Sequence, residues 1–254
     1  MSKPYYLLDF SVTACRFILE INDLEILNLV VQDGMSSMLP INHGIFTSGS
    51  QKVKIRLNAL NDENFTLEGT TKFKIIEYSA GHTLAFKNII TEFAPDLKDN
   101  GKKNAYEAQS SFNSIVPYEI ASWRDGVNLM EVNKLDERLD GFYSNIKSLF
   151  KRKDYQKIKE VFSKKENNIA AMMYLNQEQS DARLNSIFDD MENGFEFDDN
   201  AVAIPYFFKN GKVVSFRGPT GHPAIKLVNF TSGEEIYVEL NVMMDKTKMV
   251  FEVV

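Results

Sequence analysis

Leu135-Asp136-Glu137-Arg138-Leu139-Asp140-Gly141-Phe142-Tyr143-Ser144-Asn145-Ile146-Lys147-Ser148-Leu149 is the stretch at which the hydrophobic period of this chain changes. Leu135, Leu139, Phe142, Ile146 and Leu149 recur at steps of four, three, four and three, which is one apolar stripe on a helix. Gly141 interrupts it at a cost of about 1 kcal/mol relative to Ala, which predicts close packing or a bend there. The basic run Lys151-Arg152-Lys153 suits the negative end of the helix macrodipole. Asp154 is placed to cap a second helix carrying Tyr155, Ile158, Val161, Phe162, Ile169, Met172 and Met173. Asn176 with Gln179 has the form of a capping box, and Leu184, Ile187, Phe188 and Met191 continue as a third helix that Gly194 stops. Two or three helices therefore occupy roughly residues 131–194.

On both sides the period is two. Upstream, Phe17, Leu19 and Ile21 alternate with Arg16 and Glu20, up to Asn22-Asp23. Both turn residues tolerate positive φ, so a hairpin returning at Leu24-Glu25-Ile26 is expected. An irregular connection through Leu39-Pro40-Ile41-Asn42 follows. Val53, Ile55 and Leu57 then alternate with Lys52, Lys54 and Arg56, ending at Asn61-Asp62. Thr71–Tyr78 and Thr83–Phe93 read as further strands, Asp96–Lys103 as a charged loop, and Ile115–Ile120 as a last strand at an edge because of Pro117. Downstream, Ala201–Phe208, Lys212–Arg217, Ala224–Phe230, Glu235–Met244 and Met249–Val254 read as five strands of a meander, the first two joined at Asn210-Gly211. The fold class expected is α+β, mainly antiparallel β. An N-terminal β-sandwich would occupy residues 1–122 and a central helical segment residues 123–194. A C-terminal β-meander, which can share a domain with the helices, would occupy residues 195–254.

Composition narrows the function classes. With 44% hydrophobic and 25% charged residues, the chain of 254 residues is globular in type. A net charge of −6 argues against a non-specific nucleic-acid binder. The single cysteine, Cys15, forms no internal disulfide and reads as a small core residue. No signal-peptide pattern and no membrane-length apolar run occur, so a soluble, cytoplasmic protein without a membrane partner is expected. The sequons Asn64–Thr66 and Asn229–Thr231 would matter only in a secretory lumen.

No catalytic, cofactor or metal motif emerges. His43, His82 and His222 are dispersed and lack the i, i+4 pairing of a zinc helix. Gly34-Met35-Ser36-Ser37-Met38 lacks the second glycine of a nucleophile elbow. Asp96–Glu107 matches a calcium loop at its first, fifth, sixth and twelfth positions, but Lys98 at the third and the absence of flanking helices favour a solvated loop. No Gly-rich phosphate loop is present. Two groups remain as candidate binding residues. One is Lys151, Arg152 and Lys153, at the head of a lysine-rich stretch that reads first as a solvated face. The other is Arg217 and His222, in the chemically varied loop Arg217-Gly218-Pro219-Thr220-Gly221-His222-Pro223.

A β-block, a central helical pair and a C-terminal meander containing Lys209-Asn210-Gly211-Lys212-Val213 give a layout that resembles uncharacterised bacterial proteins of toxin–immunity and secretion-system loci. The resemblance implies a cytoplasmic protein-binding role and transfers no functional residue. The expected function is a non-enzymatic protein–protein interaction module, in its sharpest form an immunity-type protein that binds and blocks a partner. The alternatives are a hydrolase whose acids the fold brings together, and an assembly component that uses a sheet edge.

Overall fold

The computed structural model describes residues 3–60, 65–66, 71–96, 102–120, 126–208 and 211–254. The chain divides into two compact units, Met1–Ile120 with Met172–Tyr174, and Ala121–Ala171 with Leu175–Val254. The fold is mainly antiparallel β, with a helical insert and small C-terminal sheets.

In the first unit, β1 (Pro4–Ile21) and β2 (Leu24–Pro40) form one long hairpin. Its turn residues Asn22 and Asp23 have φ of 52° and 65°, the paired left-handed conformation that matches strand twist. At Ala14, with φ 44°, the register shifts so that one residue of β1 faces both Gln32 and Asp33 of β2, a bulge that bends the strand. The bend lets the second edge of β1 serve two partners. Residues 4–10 pair with β5 (Phe73–Ala80), and residues 15–21 pair with β3 (Gly49–Ala59). The outer strands β6 (Leu84–Phe93) and β8 (Ala105–Ser114) extend these two halves, and Thr91 Oγ1 and Ser110 Oγ lie 3.4 Å apart across them. Between the halves pack Leu8, Phe10, Phe17, Leu19, Val53, Ile55, Phe73 and Ile75. Burying a side chain of this size stabilises by roughly 1.5–3 kcal/mol, so this core holds the unit together. Cys15 lies within it. A two-residue ladder joins β4 (Phe65–Thr66) to β7 (Lys102–Lys103).

Three readings of this unit change. Leu39-Pro40 is not an irregular connection but the end of β2, which pairs as far as Leu7↔Pro40. Ile115–Ile120 is not a strand. Its backbone is tied instead to side chains and one loop carbonyl: Ile115 N donates to Tyr6 Oη at 3.0 Å, Val116 N to Ser48 Oγ at 2.9 Å and Ile120 N to Phe46 O at 2.7 Å. The last strand is β8, whose buried Tyr106, Ala108, Phe112 and Ser114 alternate with exposed Glu107, Gln109, Ser111 and Asn113. Small and polar inward positions had masked that period. The Asn61-Asp62 turn, residues 97–101 of the charged loop and the Lys209-Asn210 half of the turn between the first two downstream strands lie outside the described residues, as does Asn64 of the first sequon.

In the second unit, α1 (Leu135–Lys151), α2 (Tyr155–Met173, its last two residues belonging to the first unit) and α3 (Gln177–Glu192) follow one another through three-residue connections. Asp154 accepts from Lys157 N at 3.2 Å as the cap of α2. Asn176 and Gln179 form a reciprocal capping box, and Gly194 has φ 99°. Leu139, Ile146, Leu149 and Phe150 of α1 are buried with Ile158 and Phe162 of α2 and Leu184 and Phe188 of α3. Gly141 is exposed, and a Cβ built there meets nothing within 4 Å, so neither close packing nor a clash accounts for it.

The C-terminal strands are not a simple meander. β10 (Ile204–Phe207), β11 (Val213–Arg217), β14 (Asn241–Met244) and β15 (Phe251–Val253) make one sheet. β9 (Phe195–Phe197), β12 (Ile225–Asn229) and β13 (Glu235–Val238) make another, in the order β13-β12-β9. The segment read as one strand over Glu235–Met244 breaks at Glu239-Leu240, because Leu240 O accepts from Phe216 N at 3.1 Å and draws the chain into the other sheet.

Candidate binding surface

The basic residues of the α1–α2 turn are engaged inside their own unit. Lys151 and Lys147 reach the Asp199 carboxylate at 2.8 and 3.5 Å, and their hydrogen bonds and charge hold it below the usual aspartate range. Lys153 adopts a left-handed conformation, φ 53°, just past the end of α1, and its Nζ donates to Met191 O at 2.6 Å, an otherwise open carbonyl at the end of α3. Arg152 is exposed beside them. The later lysines are similar. Lys157 contacts Glu160 at 2.6 Å, Lys164 contacts Glu252 at 2.6 Å, and Lys159 lies over the Phe188 ring. Lys165 donates to Glu239 O at 2.6 Å, and burial pushes its ammonium pKa down. The stretch is thus a set of ties among helices and strands.

Arg217 and His222 sit at the two roots of one closed loop, where Gly218 N donates to His222 O at 2.7 Å. The Arg217 guanidinium lies 4.3 Å from the Tyr206 ring centre and 5.8 Å from that of Phe208, a cation against two aromatic faces. His222 stacks on Tyr237 at 5.0 Å. Tyr237 Oη donates to Glu235 at 2.6 Å, and Glu235 pairs with Lys226 at 2.5 Å.

Among the described residues, one group of carboxylates lines a cleft and another is buried. A cleft of about 490 Å³ in the second unit is lined by Phe142, Glu160, Lys164, Asp245, Phe251 and Glu252, among others. Burial alone would raise the Glu252 carboxyl, but hydrogen bonds from Lys164 and Lys248 carry it below its ordinary value. Glu160 is lowered by Lys157, and Asp245 by the backbone N–H groups of Lys248 and Thr247. A general acid needs a shift in the other direction. In the first unit, Glu20 and Glu25 face each other across the β1–β2 hairpin and are both buried. Arg56 Nη2 contacts Glu20, and Asn28 Nδ2 donates to Glu25 at 3.1 Å. Among the described residues, no three His, Cys, Asp or Glu side chains are grouped to hold a metal ion, and no helix is long and apolar enough to cross a membrane.

The surface that sequence reading missed is the outer face of β2-β1-β5-β6. Residues Tyr6, Leu8 and Phe10 of β1 point into the core, so Tyr5, Leu7 and Asp9 take the opposite face. Register then places Pro40, Leu7, Ile76 and Ile89 in one row across all four strands. Tyr5, Tyr78 and Phe86 form the next row. On the far side of the apolar row stand Met38, Asp9, Lys74 and Glu92. Tyr78 Oη reaches diagonally to the Met38 sulfur at 3.9 Å, across the position of Leu7, and its ring meets Phe86 edge-on at 5.9 Å. Leu7 and Ile76 are 6% and 7% exposed, while Met38, Phe86 and Ile89 are 53%, 60% and 50% exposed. No protein-family model, curated protein or solved structure matches the chain. The surface must therefore be read on its own geometry. It grades from aromatic through aliphatic to charged across three rows. The only sequence signal for it was apolar residues at consecutive positions, Tyr5-Tyr6-Leu7-Leu8 and Ile75-Ile76, which mark strands apolar on both faces.

Proposed function

We propose that this chain is a non-enzymatic protein-binding module whose partner docks on the outer face of β2-β1-β5-β6. The observation that carries this reading is the apolar row Pro40–Leu7–Ile76–Ile89, on the face turned away from the core and flanked by exposed Phe86 and Met38. Leu7 and Ile76 are already shielded within the row; the exposed members Ile89, Phe86 and Met38 carry the hydration cost that a complementary surface would relieve. The face, and not the neighbouring β6 edge, is the contact surface. Lys87 and Ile90 are extra residues at two bulges of β6, devices that spoil strand addition along that edge. The partner that fits is a protein presenting a mixed apolar and polar patch of similar width. An immunity-type role, in which the docked partner is blocked, is the form of this reading that the layout resemblance implies.

Co-purification from the native host, comparing the wild-type chain with the double variant Phe86→Glu/Ile89→Glu, tests it. Both side chains are about half exposed or more, so the variant should fold with an unchanged far-UV circular dichroism spectrum. A partner held by the wild type should be lost from the variant. Retention of the partner by the variant, or recovery of the wild type without any partner across lysis conditions, would overturn the reading.

A further inference from the structure

The opposite boundary of the same sheet, β2, has bulges of its own at Gln32-Asp33 and Ile26, but its register is regular from Gly34 to Pro40. Among the described residues β2 pairs with β1 alone, leaving its other side as an open edge along a 17-residue strand. Which backbone groups look outward follows from the hydrogen bonds. Ile41 N donates to Tyr6 O at 3.0 Å, in continuity with the register Leu7↔Pro40 through Thr13↔Gly34. In an antiparallel ladder the groups of alternate residues point to the same side. Ile41, Leu39, Ser37 and Met35 therefore turn their N–H and C=O toward β1, and Gly34, Ser36 and Met38 turn theirs away from it. Two independent contacts agree with this phase. Ala80 N donates to Lys3 O, placing odd-numbered β1 residues toward β5, and Tyr6 N donates to the Asn42 side chain on the β2 side. Pro40 falls in the outward set and has no N–H to offer, so the usable edge runs over Gly34–Met38.

Natural sheets guard such edges with charge, bulges or cover. Gln32–Met38 are all exposed, and from Ile26 to Gln51 the only Asp, Glu, Lys or Arg is Asp33. The outward groups are also arranged symmetrically: Gly34 and Met38 flank Ser36 at equal distance. Placed antiparallel to itself with a two-fold axis through Ser36, this edge pairs Ser36 with Ser36, Gly34 with Met38 and Met38 with Gly34 of the second copy. Every outward N–H in the run then meets an outward C=O. The axis stands perpendicular to the sheet, so each face of one copy continues into the same face of the other. Asp33 of each copy comes opposite Leu39 of the other, keeping the two like charges apart by several residues.

We propose that the β2 edge is a self-association surface at which two copies of this chain pair antiparallel through Gly34–Met38, centred on Ser36. The occupant is a second copy because the segment carries no charge pattern that would select a different chain, while its hydrogen-bonding groups are complementary to themselves. Five residues of strand pairing bury less than the ~1,000 Å² expected of a stable interface, so the dimer is weak and depends on concentration.

Sedimentation velocity on the full chain over a wide concentration range reads this directly, with Ser36→Lys and Ser36→Glu as probes. Ser36 is exposed on the outer face, and its hydroxyl donates to Ser11 Oγ at 2.8 Å, so Ser36→Ala serves as the control for loss of that bond alone. The wild type and Ser36→Ala should show a monomer–dimer equilibrium. Each charged variant sets like charges directly across the axis and should dimerise at least about tenfold more weakly, a penalty of about 1.4 kcal/mol. An equimolar mixture of the Lys and Glu variants should recover a heterodimer, which a folding defect would not allow. A wild type that stays monomeric at every concentration, dimers that persist in both charged variants, or a mixture that fails to pair would each overturn the proposal.

Discussion

Asn42 is the residue whose removal the structure prices most clearly. It is fully buried in the first unit, and its amide ties four groups together. Oδ1 accepts from Tyr6 N at 2.7 Å, and Nδ2 donates to Pro4 O and Met172 O, each at 3.1 Å, with Tyr118 Oη at 3.4 Å. In Asn42→Ala the Pro4 carbonyl keeps a partner, since Tyr174 Oη donates to it at 2.8 Å. The Tyr6 N–H and the Met172 carbonyl lose theirs. Two orphaned buried groups at ~1–3 kcal/mol each give an expected loss of ~3 kcal/mol. In Asn42→Asp the acceptor for Tyr6 N survives, but an anionic oxygen now faces two carbonyls. Protonating that carboxyl restores one O–H donor, so the Asp variant should recover stability as pH falls while the Ala variant should not. Because the chain has two units, a global probe would blur the result. The single cysteine solves this: Cys15 is buried in the core of the first unit, so pulse alkylation in rising urea reports the opening of that unit. A loss below about 1 kcal/mol for Asn42→Ala, or an Asp variant indifferent to pH, would refute the view that this amide organises the unit.

Three further outcomes are expected. Gly141→Ala should raise the stability of the second unit by about 1 kcal/mol in urea denaturation, because the position is an exposed helix interior with open space at the Cβ. Gly44→Ala should cost ~1–3 kcal/mol, read by Cys15 alkylation, since the new Cβ would stand 2.6 Å from the Ile21 Cβ in a packed core. Burial pushes the Cys15 thiol up to about 11, so folding favours the protonated form. That contribution is fully present below the ordinary thiol range and is lost as pH rises toward 11, so stability of the first unit should fall with pH across that window in the wild type and less in Cys15→Ala.

How much of this was legible in the sequence depends on how local the deciding interaction is. The helices, Asp154 as a cap, the Asn176–Gln179 box, the Gly194 stop and the Asn22-Asp23 hairpin turn all rest on groups within a few residues of each other. Periodicity and side-chain chemistry were enough to read them. The alternation of Val53, Ile55 and Leu57 was enough for β3. What the sequence could not show depends on groups far apart in the chain. β8 alternates about small and polar inward residues whose burial is conferred by ten paired positions on β3. The break at Glu239-Leu240 exists because Phe216, more than twenty residues away, supplies the donor that Leu240 O accepts. The lysines of α1 and α2 read as a basic cluster because their partners Asp199, Met191 O, Glu239 O and Glu252 arrive only with the tertiary fold. For the same reason, Leu7, Ile76 and Ile89 are ordinary strand residues in sequence and become one apolar row only when three strands are laid in register. A sequence encodes the periods of its own segments. Which strand lies beside which, and so which face or edge is left without a partner, is set by the packing of the whole sheet.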